Sequence, residues 1–512
     1  MTRTNHTWPE MVTTALLGTQ HAALPTPKGH TAVDQLIAQM PQQDAAAALL
    51  AAAGTVALHQ QTGWVPSQAS PPTPVSQPPD QPVLPAGISR QLEPLLDTSH
   101  TSLLPEMLDA LAQTGYRVPE FLLPNLLEKG VKAATIRPSL LQILGERGRW
   151  LASQNPAWRY AAPELDTWVG LLAEWKTAVA GQRLALLRQL RQTEPERGRT
   201  LLEHTWKSET DQSRHHLIKI LEVNLSQADE PFLEAALDDR THYVRQTAAD
   251  VLACLPTSRL SRRMTEHAAN LLRWTPGGKY VITVTFPDVY TPAMKRDGLF
   301  TASDGDLSKT RARQLTQIVG RMPLDFWTEQ WQQTPQTIAE AVLQSAWPRT
   351  LTNGFATAAA RQKDVIWAEA LITANGFGTA VARLVSILPT ETCFRLMQQA
   401  AQKSTGLQRT DPLFIVLQHW QLPWTAPMGQ FWLERFADHL NQHKDDKPEP
   451  TLKTLLTRFA QRCDPTLADT AVTQLTIPDL NPAWQKIVNL LCETILLRRN
   501  LLAEIHRLNV DH

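Results

Sequence analysis

Arginines recurring at a fixed interval are the most chemically suggestive residues in this 512-residue sequence. Arg183, Arg214 and Arg245 lie 31 residues apart, twice in succession. A guanidinium presents a rigid fork of donors, suited to bidentate recognition of a carboxylate or a phosphate. Two local clusters surround these positions. One holds Arg183, Arg188, Arg191, Arg197 and Arg199, with Glu194 and Glu196 among them. The other holds Arg259, Arg262, Arg263 and Arg273. If both clusters line one surface, they would suit nucleic-acid phosphates. The competing reading is salt bridging between repeats plus a solvated face. Lys+Arg and Asp+Glu balance at 49 each, so there is no global field to draw in a polyanion, which favours salt bridging.

Other candidates fall short of their motifs. His439 and His443 share a helix face beside Asp438 and Asp445, but a metal needs a third ligand at a fitting distance, so a solvated face is expected. Asp297, Asp304 and Asp306 lack the calcium-loop spacing and read as loop turns. Pro276-Gly277-Gly278-Lys279 lacks the phosphate-loop spacing, and Gly376-Phe377-Gly378 has no βαβ context. Gly18-Thr19 reads as a helix stop before an anion nest. There is no GxSxG, and no Ser/His/Asp set follows from spacing. No catalytic residue, metal or cofactor is expected.

The recurring arginines sit in a repeated frame: Arg183-xx-Leu186-Leu187-xx-Leu190, Arg214-xx-Leu217-Ile218-xx-Leu221 and Arg245-xx-Ala248-Ala249-xx-Leu252. Leu201-Leu202 and Phe232-Leu233 keep the same register on partner helices. Asp229–Pro256 shows the unit whole. Asp229 is placed to cap a helix with Pro231 in its first turn, and Phe232, Leu233, Ala236 and Leu237 make its stripe. Thr241 or Asp239 caps a second helix carrying Val244, Ala248, Val251, Leu252 and Leu255 up to Pro256. Neither stripe can be covered within one short hairpin, so units must stack.

The expected fold is therefore mainly α, an α-solenoid of helical hairpins with a small β-containing insertion near 275–308. Residues 1–64 form an N-terminal helical unit, 65–87 a proline-rich linker and 88–274 the solenoid. Residues 309–512 form a C-terminal helical repeat region without a strict period. The strand is placed at Lys279–Phe286, where β-branched residues alternate. Helices are placed at Leu165–Ala180 and Gly378–Leu388, among others. Most of the 16 tryptophans are expected in the core, with a concave-face interface anchor as the other use.

Hydrophobic content of 43% excludes wholesale disorder. Four scattered cysteines without a CxxC pair fit a reducing cytosol, and no secretory signal or membrane span is expected.

Two resemblances add to this. Asp239-x5-Arg245-xx-Ala248-Ala249-xx-Leu252, with the preceding helix, resembles a HEAT repeat, which implies that a turn Asp and a second-helix Arg help tie adjacent repeats. Thr177 and Ser208 occupy the matching Asp places in the other two units. Trp8 through Pro25, with Ala15-Leu16-Leu17-Gly18-Thr19, resembles the opening of the bacterial family DUF5691. So do Asn155-Pro156-Ala157-Trp158, Asp229-Glu230-Pro231-Phe232-Leu233-Glu234, Leu237-Asp238-Asp239-Arg240, Arg296-Asp297-Gly298 and Pro323-Leu324. This resemblance implies a cytoplasmic protein often encoded beside a MoxR-type AAA+ ATPase, a von Willebrand A domain protein and a SWIM zinc-finger protein, with no established catalytic residues. The leading expectation is a non-enzymatic protein-interaction scaffold, with nucleic-acid binding through the arginine clusters as the alternative. Arg183, Arg188, Arg191, Arg214, Asp239, Arg245, Arg262 and Arg263 are the candidate interaction or structural residues.

Overall fold

The computed structural model describes residues 7–26, 31–62, 81–97, 100–277, 281–286, 291–299, 307–402, 407–408 and 411–510. Asp304, Asp306 and most of the proline-rich tract lie outside them. The chain divides into two compact units, Met1–Val75 and Ser76–His512. The fold is mainly α.

In the first unit, α1 (Thr7–Leu17), α2 (Ala32–Ala38) and α3 (Ala45–Thr62) pack around Met11, Val33, Ile37, Leu49 and Val56. Thr31 and Asp34 form a reciprocal capping box at the start of α2. Gly18 closes α1 with φ +84°, the left-handed geometry of a helix stop.

Early in the second unit Leu84 N donates to the Arg117 carbonyl and Arg117 N to the Pro82 carbonyl, a short parallel bridge between Val83 and Arg117. The last residues of the tract read as linker therefore belong to this unit's structure. The early helices are α4 (Ala86–Asp97), α5 (Leu104–Ala112), α6 (Leu123–Lys132), α7 (Arg137–Ile143) and α8 (Gly145–Gln154). The repeats follow as α9 (Trp168–Thr177), α10 (Ala180–Thr193), α11 (Pro195–Thr205), α12 (Asp211–Ile220), α13 (Glu230–Ala236), α14 (His242–Leu252) and α15 (Arg259–Leu271). The second helices stack in order, α10 on α12 on α14, and α11 and α13 cover them as the 31-residue frame requires. Leu187, Leu217, Ile218, Leu233, Val244, Ala248 and Leu252 are buried on those faces.

Three sequence expectations need correction here. Helix Leu165–Ala180 is shorter, because 3-10 turns occupy Pro163–Asp166 and Thr167 caps α9 through Gly170 N. Asp229 does not cap α13; its carboxylate turns back to Ser226 N and to Arg191. Of the expected strand Lys279–Phe286, Lys279 and Tyr280 lie outside the described residues, and the rest holds only β2 (Ile282–Val284), antiparallel to β1 (Leu272–Trp274) at the end of the expected solenoid. A short helix, α16 (Pro292–Arg296), follows it.

The second half comprises α17 (Leu307–Val319), α18 (Asp325–Trp331), α19 (Pro335–Leu343), α20 (Pro348–Gln362), α21 (Val365–Asn375), α22 (Thr390–Ala401) and α23 (Pro412–His419). It ends with α24 (Ala426–Gln442), α25 (Pro450–Ala460), α26 (Ala468–Leu475) and α27 (Pro482–Val510). In place of a helix at Gly378–Leu388 there is only a 3-10 turn, Ala382–Ile387. Positive-φ Gly376 precedes it, and a one-turn apolar knot of Val381, Leu384 and Val385 is buried without a regular stripe. Trp327, Trp367, Trp420, Trp432 and Trp484 are fully buried in the core, whereas Trp8 is exposed.

α27 joins the end of this unit to its beginning. Its first half, through Trp484, Leu491 and Ile495, belongs to the large core of the repeats. Its second half, through Leu501, Ile505 and Leu508, belongs to the core built by α4 to α8. Between them Arg498, 3% exposed, donates to Glu106 of α5 at 2.7 and 2.8 Å and to the Cys463 and Ala460 carbonyls. Gln91 donates to Glu504 at 2.9 Å. Helix contacts thus run from α5 through the repeats and back to α5.

Candidate functional site

The repeated arginines lie on the turns between stacked helices. Trp175 ends the first helix of its unit, and Arg183 on the second helix donates through Nε to its carbonyl at 2.8 Å. The same guanidinium lies over the Trp175 ring and binds both carboxylate oxygens of Glu209 in the next unit, at 3.0 and 3.1 Å. Trp175 Nε1 donates to that carboxylate as well, at 2.9 Å. One unit on, Arg214 repeats the pattern against the Trp206 carbonyl and ring, and its forward partner is Asp239 at 2.8 Å. The rung is therefore Trp–Arg within a unit and Arg–acid between units. Buried apolar surface sets the stack, and these charge-assisted bonds set its register.

Asp239 and Arg245 do not pair with each other; the turn aspartate ties adjacent units instead. Arg245 takes the backbone carbonyls of Asp239 and Arg240, at 2.8 and 3.0 Å, while the Asp239 carboxylate goes to Arg214. Thr177 and Ser208 are not gaps in a ladder, because Glu209, next to Ser208, supplies the acid. The tryptophans 31 residues apart were the signal the sequence reading left unused.

Every acid between Asp229 and Asp250 meets an arginine of another element. Asp229 holds Arg191 of α10, Glu230 holds Arg259 of α15, and Glu234 holds Arg263 of α15. Asp238 holds Arg296 of α16, and Asp250 holds Arg321 and Arg361. Arg240 reaches back to Asp211. Arg191 is the extreme case. Fully buried, it binds both Asp229 oxygens at 2.8 and 2.9 Å and the carbonyls of Val223, Asn224, Leu221 and Pro195. No phosphate reaches it, so its place in a surface cluster is a correction. Burial left it a full set of acceptors instead.

Arg296-Asp297-Gly298 clasps the insertion to the repeats. Asp297, 1% exposed, accepts two bonds from Arg263 at 2.8 and 2.9 Å, and its carbonyl accepts from Arg321. Gly298 has φ +71°, and an added Cβ would lie 3.0 Å from Gln246 Cα and 3.1 Å from the Arg245 carbonyl. Only glycine fits against α14 there. Burial alone would raise the Asp250 pKa, but Arg321 and Arg361 outweigh it and hold the carboxyl below its ordinary range.

Of the eight residues singled out, Arg183, Arg191, Arg214, Asp239, Arg245 and Arg263 therefore act in internal bonds. Arg262 is exposed and donates to the Thr257 carbonyl at 3.3 Å. Arg188 is exposed and stands apart from the ladder. The His439 and His443 rings lie 4.6 Å apart, tilted by 36°, but His443 pairs with Asp446, and the described residues contain no group able to hold a metal ion. Burial raises the Cys393 and Cys463 thiols to about 12, and Cys254 and Cys492 to about 11. Among the described residues no helix is long and apolar enough to cross a membrane.

The chain belongs to DUF5691, a family of unknown function whose model matches residues 10–505. A search of curated proteins found no match.

Proposed function

We propose that this chain is a non-enzymatic protein-interaction scaffold, a stacked helical frame that presents its surface to a protein partner. The supporting observation is the Arg183–Glu209 and Arg214–Asp239 ladder, which locks successive helical pairs in one register. A frame held this way keeps surface groups at fixed spacing, which lowers the entropic cost of binding a large partner. Large apolar side chains stand on that surface, among them Val169, Val179 and Tyr243, each at least 66% exposed.

By the family resemblance, the partner is a component of a MoxR-type AAA+ ATPase and von Willebrand A system in the cytoplasm. Ladder and clasp neutralise most of the arginines a polyanion would need, which weighs against nucleic-acid binding. Affinity capture from the native host, with the full chain as bait, tests the reading. The ATPase or the von Willebrand A protein is expected among the captured proteins. Repeated capture of neither would overturn it.

A further inference from the structure

We infer that the pocket between α7, α9 and α10 is a binding site for the carboxylate of a small apolar molecule, with Arg137 as its anion-binding group. Arg137 is 5% exposed, yet among the described residues no carboxylate pairs with it. Its Nε donates to the Gly130 carbonyl at 2.8 Å, and its guanidinium lies 4.2 Å from the centre of the Tyr160 ring. Neither η nitrogen donates to a described residue or is sealed from solvent, and the guanidinium lines an open cavity. It therefore keeps two donors for an acceptor that enters that cavity.

The cavity it lines has a volume of about 110 Å³ and is open on one side. Gly181 and Gln182, in the first turn of α10, form the opposite wall. The cap of that helix is Val179, which has no side-chain acceptor, so its first-turn N–H groups keep their partial positive charge at this wall. Leu165, Ala178 and Leu186 make the rest of the wall apolar.

Charge decides between anions. Glu174 also lines the cavity, and Arg159 pairs with it at 3.7 Å, which leaves the single positive charge of Arg137. One net positive charge beside a paired carboxylate suits a monoanion better than a phosphate dianion. Apolar walls then select a short hydrocarbon substituent. Two sources share this chemistry, a free short-chain acid and the C-terminal residue of a peptide.

The fold has built this site deliberately in one respect. A Cβ on Gly130 would fall 2.0 Å from the Tyr160 hydroxyl, so glycine there is what lets the ring lie under Arg137. Tyr160 follows the Asn155-Pro156-Ala157-Trp158 segment, in which Asn155 Oδ1 accepts from Ala157 N and sets the turn. Pro156 and Ala157 are themselves pocket wall.

Calorimetric titration of the full chain tests the site, with isobutyrate, N-acetylvaline, neutral isobutyramide and inorganic phosphate as probes. Isobutyrate is expected to bind, isobutyramide and phosphate at least tenfold more weakly. Binding of N-acetylvaline as well assigns the site to peptide termini; its failure assigns the site to free acids. Arg137→Met should lower isobutyrate affinity at least tenfold. Gly181→Phe should block the mouth, because nothing lies within 4 Å of an added Cβ there, and it decides the matter if Arg137→Met fails to fold. The inference is overturned if isobutyrate does not bind, if the amide or phosphate binds as well, or if binding survives in both variants.

Discussion

Arg214 crosses from one helical pair to the next and donates to Asp239 at 2.8 Å, although Arg245 stands six residues after that aspartate in its own pair. The acid at the turn therefore serves the unit before it. Arg183 and Glu209 make the same crossing one unit earlier. The acids there sit 26 and 25 residues beyond their arginines, so the ladder tolerates a one-residue change in turn length.

Replacing each member of the two pairs, singly and together, should show coupling. A hydrogen bond to a charged group contributes about 1.5–3 kcal/mol, and these acids are almost fully buried. Chemical denaturation of Arg214→Ala, Asp239→Ala and the double variant should give a coupling energy near the lower end of that range. A coupling near zero would mean the pair only decorates the turn.

Arg191 and Arg188 lie three residues apart and should behave in opposite ways. Arg191→Ala leaves the Asp229 charge buried without its partner, which costs about 3–5 kcal/mol. Arg188→Ala removes an exposed side chain and should stay within about 0.5 kcal/mol of the parent. Thermal or urea unfolding separates these outcomes at once.

Gly298→Ala should loosen the clasp. The left-handed backbone penalises any Cβ by roughly 1–3 kcal/mol, and contact with α14 adds to it. Limited proteolysis should then cut the insertion faster than in the parent chain. Equal cutting rates would indicate that α14 shifts freely to admit the methyl group.

Acid should destabilise the fold in two stages. Burial is the main cause that depresses the pKa of His242, His267, His419 and His439 below 6.5. The unfolded chain therefore binds more protons there, and stability falls as pH drops below 6.5. For Asp250 the folded pKa lies below 3.8, so its contribution is complete above 3.8 and is lost as pH falls further. Urea midpoints measured from pH 8 to 3 should show both steps, and Asp250→Asn should remove part of the second.

Much of this architecture was legible in sequence where the physics is local. The apolar frame around Arg183, Arg214 and Arg245 predicts the stacked helices, since periodicity and stripe burial are the same fact. Where the chain had to find a distant partner, it was not. Nothing near Arg498 signals that it meets Glu106, 392 residues away, or that α27 joins two cores. The three-residue strand β1 has no alternation to read, because it continues directly from α15. Glu209 was missed because strict counting looked one residue earlier, at Ser208. Arg137 carried no signal at all, since a guanidinium without a carboxylate partner is defined by what surrounds it.

The scaffold reading stands most directly on a binding measurement between purified components. Sedimentation velocity of the full chain, mixed with its host's MoxR-type ATPase or von Willebrand A protein, should give a faster species of defined stoichiometry. The chain alone and the chain with duplex DNA at low salt should sediment as separate components. Independent sedimentation with both proteins, together with a salt-dependent shift on DNA, would contradict the proposal and favour the arginine clusters as a phosphate-binding face.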